Sequence, residues 1–202
     1  MTKAAENRFL YLLCFMAAVA LLRITNAAAL TPWSNFTPIG AMALFGGARA
    51  TGWKSFAFPI TTLLASDIVI NTVVYEGRYG LFYSGFYWIY IAVATIVLIG
   101  RWLLPTIAAG RLLLAAIVSG LAFWLLVDFG VWLSGEGIDI STNQPLTRNI
   151  SGLLKCYAQG WPYIRNFMLS TLLYSGILFG IDAILHKYII RQNNIADGAY
   201  AD

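Results

Sequence analysis

Three acidic residues lie inside long apolar stretches of the sequence, where a charged side chain is costly and is therefore a candidate for function. They are Asp67 in LLASDIVIN, Asp128 in LLVDFGVWL and Asp182 in LFGIDAIL. A carboxylate in such surroundings either pairs with a basic side chain or gives an oriented polar contact to a bound molecule. These residues could thus either bind a small ligand or hold one helix to another.

The segments that carry these acids are long enough to cross a membrane. Of the 202 residues, 59% are hydrophobic and 11% are charged, whereas soluble domains average about a quarter charged. The apolar runs are continuous, which indicates helices rather than barrel strands. We therefore predict an all-α integral membrane protein with one domain over residues 1–202, a bundle of about six transmembrane helices. The expected helices span roughly 9–30, 36–50, 55–74, 83–104, 108–133 and 164–188, with a long outer loop at 134–163.

Small residues recur at helical spacing in two of these segments. Ala43 and Gly47 are four positions apart in the short second segment, as are Gly176 and Gly180 in the sixth. Residues at this spacing share a helix face and let two backbones approach closely in lipid. We expect the second segment to be a packed inner helix, and all four residues to serve helix packing.

Lysine and arginine set the expected orientation, because cytoplasmic loops carry an excess of them. With the N-terminus inside, eight of the 13 basic residues fall on the inner side. This predicts a multi-pass protein in contact with membrane lipids, with both termini in the cytoplasm. Aromatic residues gather on the outer side, among them Trp132, Tyr157 and Trp161. Some belong to the usual interfacial belt, and we expect others to line a pocket.

This orientation brings polar residues of several segments to one depth near the outer face. The set comprises Asn35, Asp67, Asn71, Asp128, Arg165 and Asn166. Asp67 or Asp128 could pair with Arg165 and clamp helices, and the same charges could also line a cavity. Asp182 lies nearer the inner face, and its expected partners are Arg111, Lys187 or His186.

No pattern in the sequence indicates catalysis or a cofactor. His186 is the only histidine, which argues against haem and imidazole-rich metal sites and leaves no Ser/His/Asp set. Nucleotide-binding, zinc and dinucleotide motifs are missing from the sequence. The net charge of +4 is explained by topology rather than by nucleic acid. We therefore predict no enzyme activity, no cofactor, no metal and no nucleic-acid partner.

Several stretches together resemble one family: NFTPIGAMALFGGA, ASDIVIN, GRWLL, FGVWLS and GLLKCYAQGWPYIRNFMLSTLLYSGILFG. They are similar to an uncharacterised bacterial membrane family (domain of unknown function 6580), described as transport proteins similar to the S-components of energy-coupling factor (ECF) transporters. The resemblance extends from about Asn35 to about Asp182. It implies an S-component-like bundle in the bacterial inner membrane, with a vitamin or metal bound near the outer face. It also implies coupling or energising subunits as partners.

The expected function is that of a membrane transport component that binds a small organic, vitamin-like nutrient at the outer face for uptake. The ligand-binding residues that the shared segments suggest are Asn35, Asp67, Asn71, Asp128, Trp132, Tyr157, Trp161, Arg165 and Asn166. The alternative is a structural or accessory subunit of a larger membrane protein complex. In that case the small-residue faces and the aromatic residues would contact partner helices or lipids.

Overall fold

A computed structural model describes residues 3–29, 31–78, 80, 82 and 84–198. Leu30 and Tyr83, which end and begin two predicted segments, and the last four residues of the polar tail lie outside this part. In the described part most of the chain is helical, as the sequence predicted. The elements in chain order are α1 (Lys3–Ala28), α2 (Ile39–Arg49), α3 (Lys54–Val69) with a π-helical turn (Ile70–Val74), α4 (Phe86–Leu103), α5 (Ala109–Ser134), β1 (Ile138–Asp139), β2 (Gln144–Pro145) and α6 (Ile150–Gly198).

Five of the six helices in the described part are long and apolar enough to cross a membrane. The exception is α2, whose 11 residues extend about 16 Å at 1.5 Å per residue. That length is about half of the roughly 30 Å of hydrocarbon in a bilayer. The expectation of about six transmembrane helices is therefore corrected to five candidate spans and one short internal helix.

The helix α6 differs most from the sequence-based expectation. It begins at Ile150 rather than near residue 164, and it contains 49 residues, or about 70 Å of helix. The expected long loop at 134–163 is consequently only the connection between α5 and α6, with the short hairpin inside it. Tyr157 and Trp161 lie on a helix instead of in a loop.

The helix α2 lies in the middle of the bundle. All nine residues from Ile39 to Gly47 are buried, and the helix packs against α3, α4 and α6. A Cβ atom added to Gly47 would collide with the carbonyl oxygen of Val97 on α4. From the other side, a Cβ on Gly100 of α4 would collide with the carbonyl oxygen of Leu44. Backbone therefore lies on backbone here, the arrangement that small residues permit in membrane helices.

The second small-residue pair does not pack within this chain. Gly176 and Gly180 of α6 are exposed, and an added Cβ at either position would meet no described atom within 4 Å. They make no close helix contact within the described part of the chain, so their expected role in helix packing stays a prediction. Equal spacing did not distinguish the two pairs, because spacing fixes a shared helix face and not which face turns inward.

A two-stranded hairpin, β1 and β2, caps one end of the bundle, which is called the hairpin end below. Ile138 pairs with Pro145, and Asp139 pairs with Gln144. The side chain of Gln159 on α6 donates to the carbonyl of Ile138 (3.0 Å) and accepts from the N–H of Ile140 (2.9 Å). These bonds fasten the hairpin to the first turns of α6.

The carboxylate of Asp139 also holds the hairpin to α6, and it makes the stability of the hairpin sensitive to acid. It accepts hydrogen bonds from Lys155 Nζ (2.6 Å) and from the hydroxyl and N–H of Ser141 (2.6 and 3.0 Å). These bonds, that from Lys155 first, lower the pKa of Asp139 well below its ordinary value. A carboxyl group with a lowered pKa in the folded state stabilises the fold above its unfolded-state pKa of about 4. That contribution is lost as the pH falls towards the folded-state pKa.

We expect the backbone amides of residues 138–144 and 146 to lose hydrogen-exchange protection progressively as the pH falls below about 4. Protection factors, which remove the intrinsic pH dependence of exchange, are the quantity to measure, with the amides of α4 as internal reference. Asp139→Asn should lower protection at neutral pH and make it nearly independent of pH. If the variant kept the pH profile of the parent chain, Asp139 would not be the group responsible.

Candidate functional site

The polar residues expected at one depth separate into two groups at the hairpin end. One group joins α1, α3 and α4 around Asp67, and the other lines a cavity between α5, α6 and the α1–α2 connection around Asp128. The central helix α2 packs against both α3 and α6. Asp67 and Asp128 therefore do not share a site.

Asp67 is fully engaged by neighbouring helices. Arg23 of α1 forms an ion pair with one carboxylate oxygen and donates from Nε to Ser66 Oγ (2.8 Å). The hydroxyl of Tyr90 on α4 donates to the other carboxylate oxygen (3.0 Å). Asn71, buried in the π-helical turn, donates from its amide to the backbone carbonyl of Asp67 (2.9 Å). This arrangement holds α1 to α3 and α4, so Asp67 clamps helices.

Two expected ion pairs are corrected by this geometry. Arg165 is exposed on α6, and Asp67 pairs with Arg23 instead. Asp182 forms an ion pair with Arg49, at 2.8 Å between Oδ2 and Nε, whereas the expected partners were Arg111, Lys187 or His186. In both cases the partner comes from a helix that is distant in sequence, and tertiary packing decides which helices are adjacent.

A cavity of about 80 Å³ lies beside Asp128 and is called the Asp128 cavity. Its lining residues are Asn35, Phe123, Trp124, Val127, Asp128, Gly160, Tyr163 and Ile164. Two of the expected ligand-binding residues, Asn35 and Asp128, thus meet in one space. Asn35 and Tyr163 are also exposed, so they form the rim where the cavity meets the protein surface.

The carboxylate of Asp128 has an unsatisfied oxygen in this cavity. Its Oδ2 atom is buried and has no hydrogen-bond partner among the described residues. The indole N–H of Trp124 lies close by, but it donates to the carbonyl oxygen of Tyr157 (3.1 Å). Buried polar atoms in native proteins nearly always have a partner, and leaving one unpaired costs free energy. This oxygen is therefore a candidate contact for a bound molecule.

Gly160 of α6 makes the space that Asp128 occupies. A Cβ added at this position would collide with Asp128 Oδ2 and lie 3.0 Å from Trp124 Nε1. Any larger residue would displace the carboxylate or close the cavity. Glycine at this position is thus a requirement of the site.

Asn166 and Ser170 of α6 position the rim of the cavity. The amide of Asn166 donates to the carbonyl oxygens of Pro32 (2.7 Å) and Ser34 (3.0 Å), and the hydroxyl of Ser170 donates to that of Thr37 (3.0 Å). These bonds hold the α1–α2 connection, in which Asn35 has a left-handed backbone (φ 65°) that asparagine tolerates better than most residues. Asn166, expected to bind ligand, thus holds the connection that carries Asn35.

The three aromatic residues expected to bind ligand are not among the residues that line the cavity. Trp132 donates from its indole to the carbonyl of Thr147 (3.0 Å) and holds the connection before α6. The hydroxyl of Tyr157 donates to the carbonyl of Leu125 (3.2 Å) and ties α6 to α5. Trp161 is 54% exposed. It lies 5.9 Å, centroid to centroid, from Trp124.

A family model matches residues 3–193 of the chain. The chain belongs to the family of unknown function DUF6580. The family resemblance drawn from the sequence is thereby confirmed, and the match reaches from α1 into α6. Comparison with curated proteins and with solved structures finds no match, so the likeness to S-components stays a prediction.

Sequence reasoning missed several residues of the Asp128 cavity in this DUF6580 chain. Trp124 precedes Asp128 by four positions, so the shared helix face was a usable signal. Gly160 and Tyr163 were assigned to a loop, and only the helical course of residues 150–163 brings them to the site. In the described part, no group of three His, Cys, Asp or Glu side chains could hold a metal ion.

A second, larger cavity in the DUF6580 chain has a different character. It measures about 180 Å³ and lies between α1, α2, α3 and α6, towards the end opposite the hairpin. The residues that line it are Leu12, Phe15, Met16, Met42, Phe45, Gly46, Arg49, Ala50, Phe58 and Leu178. Arg49 is its only charged lining residue in the described part, and that side chain pairs with Asp182. The Asp128 cavity therefore remains the better candidate for specific recognition.

Proposed function

We propose that this chain is a multi-pass protein of the bacterial inner membrane that works as a transport component. It binds a small organic nutrient at the hairpin end, which faces outwards, while both termini lie in the cytoplasm. The five apolar helices support the membrane location. Arg49, Lys54 and Arg101 cluster at the turns of the opposite end, as expected for a cytoplasmic face.

The observation that carries the proposal is the buried, unpaired Oδ2 atom of Asp128 in a cavity that reaches the surface. A few convergent polar groups in an otherwise apolar space are typical of small-molecule sites. Ionisable residues at membrane depth that face a cavity are typical of transport pathways. Asn35 supplies a second polar group from a different part of the chain.

The size of the cavity restricts what this conformation can bind. At about 80 Å³ it is well below the roughly 300–1,000 Å³ of sites that enclose a drug-sized ligand. It therefore holds a terminal group of a nutrient, and a whole vitamin requires α5 and α6 to separate. Such a rearrangement belongs to the transport step. The sequence carries no nucleotide-binding motif, so we propose that coupling or energising subunits supply ATP-driven motion.

Native mass spectrometry of the protein, released from nanodiscs formed in the membranes of its own host, tests this function. We expect a small molecule to stay bound to the parent chain and to be lost from Asp128→Asn and Gly160→Ala. The first variant removes the charge, and the second fills the space beside it. Gly176→Ala is the matched control, because its added methyl group meets no described atom, and it should keep the ligand.

The second candidate function is that of an accessory subunit of a larger membrane complex. The exposed pair Gly176 and Gly180 on α6 favours it, since small residues at this spacing commonly serve contacts between helices. A parent chain without any ligand but with other membrane subunits at fixed stoichiometry would establish this function and reject transport. A ligand that remained bound to both Asp128→Asn and Gly160→Ala would reject the Asp128 cavity as the site.

A further inference from the structure

We infer that the group bound in the Asp128 cavity is a protonated primary amine, so that the ligand is a small organic cation with a terminal ammonium. This inference rests on the proposed function and names the chemical class of its substrate. It comes from the charge, the hydrogen-bonding groups and the aromatic lining of the cavity.

The cavity contains a carboxyl group and no basic side chain from the described part of the chain to balance its charge. Asp128 is its only ionisable carboxylate, and among the described residues that line the cavity none is basic. Two basic side chains at the hairpin end form ion pairs with other acids, since Arg23 pairs with Asp67 and Lys155 with Asp139, and Arg165 of α6 is exposed. A buried carboxylate is stable in its charged form only when a cation is paired with it. A ligand with a positive charge would keep Asp128 in its charged form.

The hydrogen-bonding groups of the cavity are suited to a donor. An ammonium group has three N–H donors and no acceptor. Asp128 Oδ2 is an acceptor without a partner, and Asn35 and Tyr163, which line the same cavity, each carry an oxygen that can accept. A carboxylate or phosphate ligand would instead face the charge of Asp128 with acceptors only.

Aromatic rings supply the remaining attraction for a cation. Phe123, Trp124 and Tyr163 line the cavity, and the negative face of an aromatic ring attracts a cation within about 6 Å. Two of these rings are held in place by neighbours. Phe123 stacks on Phe167 with centroids 4.2 Å apart, and Trp124 contacts Tyr157 edge to face at 5.4 Å. Fixed rings and a small volume favour a primary ammonium over a bulky quaternary one.

Saturation-transfer NMR titrations of the full chain in nanodiscs test the inference with three probes of similar size. These are ethylammonium, ethanol and acetate, compared at one pH and one ionic strength. We expect the parent chain to bind ethylammonium measurably tighter than the other two. Asp128→Asn should weaken ethylammonium binding by about tenfold or more, since a hydrogen bond to a charged group contributes that much. Glu76→Gln, which changes an exposed carboxylate that does not line the cavity, should bind ethylammonium like the parent chain.

Equal binding of ethanol or acetate, or unchanged ethylammonium binding by Asp128→Asn, would overturn the amine assignment. Should Asp128→Asn fail to fold, Gly160→Ala and Asn35→Ala test the amine assignment in its place. Binding of ethylammonium by both variants at parental affinity would overturn that assignment. Failure of the amine class is distinct from failure of the proposed function. A non-amine ligand seen by native mass spectrometry and lost from Asp128→Asn would leave transport standing and reject only the amine. No ligand in either experiment would reject both.

Discussion

Replacing Asp67 with alanine is expected to lower the free energy of unfolding by about 3–5 kcal/mol, as when one partner of a buried ion pair is removed. The side chains of Arg23 and Asp67 are only 15% and 10% exposed. Without the carboxylate, the guanidinium of Arg23 keeps its bond to Ser66, and Tyr90 loses its acceptor. The loss is large because a buried charge is left without its counter-charge.

A double-variant cycle separates the pair from the rest of the site. Arg23→Met together with Asp67→Ala removes both charges, and we expect it to be clearly more stable than the sum of the two single effects predicts. Thermal unfolding in a mild detergent, followed by intrinsic tryptophan fluorescence, is the measurement. Strictly additive effects would show that the two charges do not stabilise each other.

The exposed ion pair of Arg78 and Glu76 provides the control. These side chains are 72% and 73% exposed, with 3.4 Å between nitrogen and oxygen. Exposed pairs contribute about 0–1 kcal/mol, so Glu76→Ala should change stability little. If Asp67→Ala were as mild as Glu76→Ala, the clamp on α1 would be unimportant and Asp67 would again be free to serve as a ligand-binding residue.

The Arg23–Asp67 pair illustrates where sequence reasoning reached its limit. Hydropathy and charge placed Asp67 and Asp128 in apolar helices and at a similar depth, because depth depends on position along each helix. Lateral position depends on which helices are neighbours, and this is decided by packing around α2. The partner of Asp67 is therefore Arg23 of α1, 44 positions away, and not Arg165, which the shared depth had suggested.

The first part of α6 was missed for a different reason. Residues 150–163 carry Lys155 and Gln159, which fasten the hairpin, so their mean hydropathy resembles that of a loop. A helical signal was nevertheless present. Gly152, Cys156 and Ile164 are buried, Gly160 lies against Asp128, and these four residues recur every four positions along one face. Periodicity identifies such an amphipathic helix where average hydropathy does not.

The small-residue pairs lead to the second large expected effect, at Gly47. Gly47→Ala is expected to destabilise the protein by at least about 3 kcal/mol, the upper range for overpacking a filled core. The added methyl group would meet the carbonyl oxygen of Val97 and lie 2.9 Å from the backbone nitrogen of Arg101. Neither atom belongs to a side chain that could rotate away. The only relief is for α2 and α4 to separate, which disturbs the whole buried stretch of α2.

Gly176→Ala is the matched control for this prediction, because it makes the same chemical change at an exposed helical position. Alanine is about 0.5–1 kcal/mol better than glycine inside a helix, so this variant should be as stable as the parent chain or slightly more stable. Gly100→Ala, on the opposite side of the α2–α4 contact, should resemble Gly47→Ala. The effects of Gly47→Ala and Gly100→Ala should not add, since either one already separates the helices.

The comparison of Gly47 and Gly176 also separates packing within the chain from packing against a partner. In purified monomer, only Gly47→Ala should lower the unfolding temperature. If Gly176→Ala lowered the unfolding temperature only when other membrane subunits were present, that result would show a partner at this face of α6. It would also support the accessory-subunit function. If Gly47→Ala unfolded at the parental temperature, the backbone contact between α2 and α4 would be wrong. The described position of α2, which brings Asn35 to the Asp128 cavity, would then also be wrong.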